Sequence, residues 1–207
     1  MECGGGKQYG GWIWSITIRK EDNMYVVTYT GKFAFIKPWT AVRDGETFSQ
    51  QFLTPSIIEG IEKKLFPELL QEHGIQKIIR HKLSYNTMSS QQEVTQSRGW
   101  EYKSRTFLRK RSVLKRSVLL NPILYIAFKN EDEAEEASRQ NICLCRNEDI
   151  LLPNPEVVQM TETEFNGLHG FELRFGQSDQ SFLVGYNRFD GSSPMYGWLE
   201  YNGASLL

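Results

Sequence analysis

Cysteine and histidine are scarce in this 207-residue chain, three of each, and their scarcity removes several chemistries. An odd cysteine count does not make a disulfide framework. Cys143-Leu144-Cys145 has neither a second cysteine pair nor a nearby histidine to complete a zinc site. The thiols are therefore expected to be reduced and the protein cytoplasmic. Scattered as they are, His73, His81 and His169 predict no metal, and nothing in the sequence calls for a cofactor. No apolar run reaches transmembrane length, so no membrane partner is expected. The opening MECGGGKQYGG lacks the apolar core of a signal peptide. Gly4-Gly5-Gly6 is no phosphate loop, because no strand precedes it and no Lys-Ser follows. No internal repeat or low-complexity tract stands out.

What the chain does have is ordered punctuation. Its length predicts one domain, residues 23–207, large enough to bury a core, behind an extension at 1–22. Met24 to Ile36 is rich in Val, Tyr, Phe and Thr and alternates as a half-buried strand should, ending at Pro38. A polar loop leads to Thr54-Pro55, an N-cap followed by a proline whose missing N–H costs nothing. Ile57, Ile58, Ile61 and Leu65 then fall at helical spacing. Glu59, Glu62, Lys63 and Lys64 are expected on the wet face, and Pro67 ends the helix.

Ile75 to Leu83 reads as a strand with Lys77, Arg80 and Lys82 on a charged outer face. Val113 to Phe128 is a strand pair, or one bent strand, around Asn121-Pro122. Glu131 to Arg139 is an acidic-first helix, which suits the N-terminal end of the macrodipole. Short strands follow at Phe171–Phe175, Phe182–Phe189 and Met195–Tyr201, separated by Gly- and Asn/Asp-rich turns. Trp12 to Ile18 alternates as well, and makes a hairpin with the first strand if 20–23 is the turn. The order is α+β and compatible with a ferredoxin-like core.

The formal net charge of −1 argues against a nucleic-acid binder, but its distribution argues for one. Of 24 Lys and Arg and 25 Asp and Glu, 11 and 2 fall between Lys77 and Arg116, leaving 13 bases against 23 acids elsewhere. Such segregation is the footprint of a protein that holds phosphate on one side. Tyr102 to Arg116 carries Lys103, Arg105, Arg109, Lys110, Arg111, Lys115 and Arg116, interleaved with Tyr102 and Phe107. Cations hold phosphates and aromatic faces stack on unpaired bases. A solvated edge strand protected by charge is the plainer alternative. Arg98, beside Gly99-Trp100, marks a turn with a stacking platform, or else Trp100 is a core residue. Trp12, Trp14, Trp39 and Trp198 are expected in the core or at subunit contacts, with Trp39, beside Lys37 and Arg43, the one assigned to the RNA side. His73 and His169 read as structural turn residues, and the acidic face at 131–136 as solvated.

In order and spacing these residues resemble the fifth-subunit ("Cas five") family of CRISPR-associated proteins, most nearly the subtype I-C form. The likeness runs through Lys32-Phe33-Ala34-Phe35-Ile36-Lys37-Pro38, then Thr54-Pro55-Ser56 with Gly60 and Ile61, and the strand at Gln76 to Tyr85. It continues through an arm at Asn86 to Arg105, the segment Thr106 to Phe128, the acidic helix and Cys143-Leu144-Cys145-Arg146. It covers about residues 24–150, and the C-terminal strands fit only in type.

The resemblance implies an RRM-like, ferredoxin-like core with a protruding basic β-hairpin arm, or thumb, at about 86–112, and extra C-terminal strands. It implies a subunit of a type I surveillance (Cascade) complex that grips the 5′ handle of the crRNA and caps the filament of backbone subunits. The large subunit would be a further partner, with target DNA engaged indirectly in antiviral defence. The RNA-binding set would be Lys37, Trp39, Arg43, Arg98, Trp100, Lys103, Arg105, Arg109, Lys110, Arg111, Lys115 and Arg116.

Subtype I-C members also cut precursor guide RNA with a tyrosine near the end of the first helix and a Lys-His pair before the second. Here Leu65-Phe66 occupies the first position, and Lys129 to Arg139 contains no histidine. Ribose 2′-hydroxyl activation needs a base, an acid or a cation. His81, Lys82 and Tyr85, on or just after one strand, are candidate stand-ins, but alternation puts His81 and Tyr85 on one face and Lys82 on the other. The expectation is a non-catalytic subunit. The alternative is a metal-independent endoribonuclease that uses His81 and Tyr85.

Overall fold

Strand formation begins where the sequence alternation is strongest. A computed structural model describes residues 23–38, 45–187 and 191–203, with 95–98 and 110 described as backbone only. The architecture is α+β, mostly antiparallel, with few helices. The alternating hairpin read at Trp12 to Ile18 lies outside the described residues.

The first strand, β1 (Met24–Thr30), is followed by β2 (Phe33–Ala34) and β3 (Glu46–Phe48). The sequence reads 24–36 as one strand, but the chain breaks at Gly31 and β2 joins a different sheet. A Cβ on Gly31 would sit 2.8 Å from the Ile150 carbonyl oxygen, so only glycine permits this approach. Helix α1 (Pro55–Leu65) starts at Thr54-Pro55 and buries Ile58, Ile61 and Leu65. Thr54 supplies extended N-cap geometry but no side-chain cap. A short 3-10 turn over Pro67–Leu69 leads to β4 (Ile78–Ser84), then β5 (Thr87–Lys103), β6 (Thr106–Leu120) and β7 (Ile123–Phe128). The run at 113–128 is therefore two strands in two sheets, turned at Asn121 with φ 48°. Helix α2 (Glu131–Ser138) precedes β8 (Ile142–Cys143), β9 (Ile150–Pro153) and β10 (Val158–Met160). Helix α3 (Glu162–Gly167) and β11 (Gly170–Phe175), β12 (Phe182–Asn187) and β13 (Ser193–Asn202) complete the chain.

Among the described residues, nine strands form one sheet in the order β12-β13-β11-β4-β7-β1-β9-β8, with β10 also on β1. Alternation assigns its two faces. Val27 and Tyr29 of β1 and Leu124, Ile126 and Phe128 of β7 meet α1 and α2 in the main core. Met24, Val26 and Ala127 point the other way and pack on Phe165 of α3. Both faces of the central strands are therefore covered, which explains why β1 and β7 are apolar on both sides.

Three charged side chains expected on the outside are buried instead. Glu62 is 0% exposed and accepts the backbone N–H groups of Gln76 (2.8 Å), Lys77 (2.6 Å) and Ile78 (2.7 Å). It thereby ties α1 to the entry of β4. Arg80 donates to both oxygens of Glu172 at 2.6 Å and to Asn166 Oδ1 at 2.8 Å, beneath α3. Lys82 Nζ donates to the carbonyls of Phe165, Asn166 and Leu168 and so closes the C-terminal end of α3. These groups are buried because each donor or acceptor has a partner.

Candidate nucleic-acid interface

The second sheet has the order β2-β6-β3, with β5 paired to β6. β5 and β6 outrun their neighbours. β2 reaches only Leu119 and Leu120, and β3 only Lys115 to Ser117, so the remainder is a two-stranded hairpin. Lys103 pairs with Thr106 across a two-residue turn in which Ser104 (φ 52°) and Arg105 (φ 60°) are both left-handed, as a tight hairpin requires. Between Gln96 and Trp100 the register shifts, placing residues 97–99 of β5 opposite residue 110 of β6.

Directly paired residues share a face, so the register sorts the side chains. One face carries Tyr102 with Phe107, Trp100 with Arg109, then Arg111, Val94 with Val113 and Gln92 with Lys115. The other carries Lys103, Glu101 with Leu108, Glu93 with Leu114, and Arg116. Both acids of the hairpin are on this second face. Within the hairpin strands the first face holds three described cations, three aromatic rings and no described acid, and at its base Glu46 of β3 pairs with Lys115. Trp100, Tyr102 and Phe107 are 60%, 63% and 67% exposed, so Trp100 is not a core residue. Arg109 lies over the Trp100 ring at 5.2 Å, and the Tyr102 and Phe107 rings are 5.0 Å apart. Toward its base the same face turns inward, where Leu119 is buried in the main core and Met88 packs against it.

The remaining site residues separate. Arg116 is on the acidic face, 2.7 Å from Glu93 and stacked on Phe35. Arg146, bidentate to Asp149, stacks on Phe35 as well. Arg116 therefore anchors the hairpin to the body. Lys37 is exposed two residues beyond Phe35. Arg105 is exposed at the hairpin tip and Lys103 beside it. Trp39 and Arg43 lie outside the described residues, as do the side chains of Arg98 and Lys110. Lys77, Arg80 and Lys82, which swell the basic count in the sequence, are engaged internally, Lys77 with Glu68 at 2.6 Å.

His81, Lys82 and Tyr85 do not converge. Burial holds the His81 imidazole neutral, its pKa pushed down to about 4. Its Nε2 is buried without a hydrogen-bond partner among the described residues, facing the main core beside Ile126. Lys82 points to the opposite face. Tyr85 is half-buried and stacks on Phe171 at 6.2 Å, with burial raising its pKa. A base enclosed in this way does not reach a ribose hydroxyl.

No family model matches the sequence, and no curated protein matches it. Among solved structures the fold is similar to that of a chain from a CRISPR RNA-guided surveillance complex. The TM-score is 0.51 at 12% identity, covering 86% of this chain and 89% of that one. At this identity the likeness is one of fold. No helix among the described residues is long and apolar enough to cross a membrane.

Proposed function

We propose that this protein is the handle-binding subunit of a type I CRISPR surveillance complex, gripping the 5′ handle of the crRNA without cutting it. The observation that carries this is the sorting of Arg109, Arg111, Lys115, Trp100, Tyr102 and Phe107 onto the face of the hairpin opposite Glu93 and Glu101. Cations there hold phosphates while the rings receive unpaired bases, as single-stranded recognition requires. The fold likeness to a chain of such a complex supports the setting. The order β9-β1-β7-β4, with α1 and α2 packed on one face, supports a ferredoxin-like, RRM-like domain over 23–207 whose hairpin is the thumb. In this reading Lys37 and Arg105 extend the cationic track, and Trp39, Arg43, Arg98 and Lys110 are assigned to the RNA by sequence alone. The acidic body faces the backbone filament and the large subunit in the cytoplasm, and target DNA is reached through the guide.

The test is one gel, with labelled CRISPR repeat RNA, the purified protein and EDTA. A shifted, intact RNA is the expected result. A cut RNA would overturn the non-catalytic assignment. A protein that neither shifts the RNA alone nor joins a reconstituted complex would overturn the handle-binding one.

A further inference from the structure

A recess of about 380 Å3 lies on the sheet face opposite α1 and α2, between the end of α3 and β13. Its walls include Trp198, Glu200, Asn166, Asn202, Gln180 and the stem of Lys82. It is built rather than incidental. Lys82 fixes the three carbonyls at the end of α3, and Asn202 Nδ2 donates to one of them, Asn166 O, at 2.8 Å. Trp198 Nε1 donates to Glu200 Oε1 at 3.1 Å and sets the carboxylate. The volume lies within the roughly 300–1,000 Å3 of small-molecule sites.

The lining selects the ligand by charge and shape. All three N–H bonds of Lys82 are directed at carbonyls, and Arg174 stands 3.5 Å from Glu200, so among the described residues no cation is presented for a phosphate. What remains is an indole wall, three carboxamides and one carboxylate. Carboxamides and carboxylates are the groups that read base edges, and an indole supports stacking. The carboxylate only accepts, so it favours an edge rich in donors. Guanine N1–H with its N2 amino group, adenine N6 and cytosine N4 supply one, whereas uracil offers a single imide N–H flanked by two carbonyl oxygens that repel it.

We infer that this recess binds one unpaired nucleobase bearing an exocyclic amino group, with Trp198 as the wall and Glu200 and the carboxamides on the edge. It rests on the RNA-binding reading for the source of the base, an RNA chain rather than a free nucleoside.

Saturation-transfer NMR on the full chain with adenosine, cytidine and uridine tests the recess apart from the hairpin, because nucleosides carry no phosphate. Adenosine and cytidine should give signals at least fivefold stronger than uridine. Glu200→Gln, which presents a donor as well as an acceptor, should narrow that ratio at least threefold, and Asn202→Ala should weaken all binding. The absence of nucleoside signals, equal signals, or a ratio unmoved by Glu200→Gln in a folded protein would overturn the inference. A second arm uses oligo(A) and oligo(U) octamers. Hairpin variants should weaken both equally, and Glu200→Gln should change their ratio. RNA binding without nucleoside binding refutes the recess alone. Nucleoside binding without RNA binding keeps the recess as a nucleoside site and refutes the handle reading.

Discussion

Neutralising one face of the hairpin should cost far more RNA affinity than neutralising the other. The triple variant Arg109→Gln, Arg111→Gln, Lys115→Gln removes every described cation of the face opposite Glu93 and Glu101 while keeping an unbranched polar side chain at each position. Each single-strand phosphate contact contributes about −0.7 to the slope of log K against log salt, so three contacts contribute about −2. Extrapolated from 1 M to 0.1 M salt, that slope corresponds to about a hundredfold in affinity, or about 2.8 kcal/mol. The control is Lys103→Gln with Arg116→Gln on the other face, where Arg116 is engaged with Glu93 and Phe35. Fluorescence anisotropy with a labelled repeat-handle RNA across a salt series reads both slope and affinity. The expected result is a slope shallower by about 2 for the triple variant and by less than about 0.5 for the control. Equal losses from both faces would show that the hairpin acts as diffuse charge, and would refute the facial argument.

The body of the protein makes further tests available. Glu62→Ala strands the backbone N–H donors at 76–78, one buried and two part-buried, and should cost about 2–4 kcal/mol in urea unfolding; a loss below about 1 kcal/mol would contradict the hydrogen bonding described. Glu172→Gln leaves the buried Arg80 guanidinium with only the longer carboxylate contact, to Glu162 at 3.4 Å, and should cost about 2–4 kcal/mol, most of it recovered in Arg80→Met with Glu172→Met. A double variant as unstable as the single one would argue against the pair. His81 gives a pH signature. Below about 6.5 the unfolded chain binds a proton there that the folded site refuses until about pH 4, so stability is lost as the pH is lowered through that window, by about 3 kcal/mol in all. Burial acts to raise the pKa of Glu172, but the Arg80 ion pair outweighs it and holds it low, so its stabilisation is lost in acid as well. His81→Leu should therefore lose about 2 kcal/mol less than the wild type between about pH 7 and pH 4.5, read by denaturant melts; identical pH profiles would count against a neutral buried imidazole.

Local chemistry fixed the elements that carry their own signals. Thr54-Pro55 and the spacing of Ile58, Ile61 and Leu65 place α1 from sequence, and the acidic start at Glu131 places α2. The surplus of cations between Lys77 and Arg116 is a sum over residues, so it is legible without a fold. Helix α3 went unseen although Thr161 and Glu164 form a capping box, because six residues give too little periodicity to register.

Partnership between distant segments is what the sequence did not contain. Alternation says that Arg80 and Lys82 share a face. It does not say that Glu172 and the carbonyls of α3, some ninety residues on, will cover it and turn a charged outer face into a buried one. Nor does it say that Glu62 will find three N–H groups, or that Gly31 will split one alternating run between two sheets because Ile150 and Leu151 approach it. The hairpin shows the same division. Its charge was determined by composition. The separation of Arg109, Arg111 and Lys115 from Glu93 and Glu101 was decided by a strand register, in which a shift of one residue would have mixed the two faces.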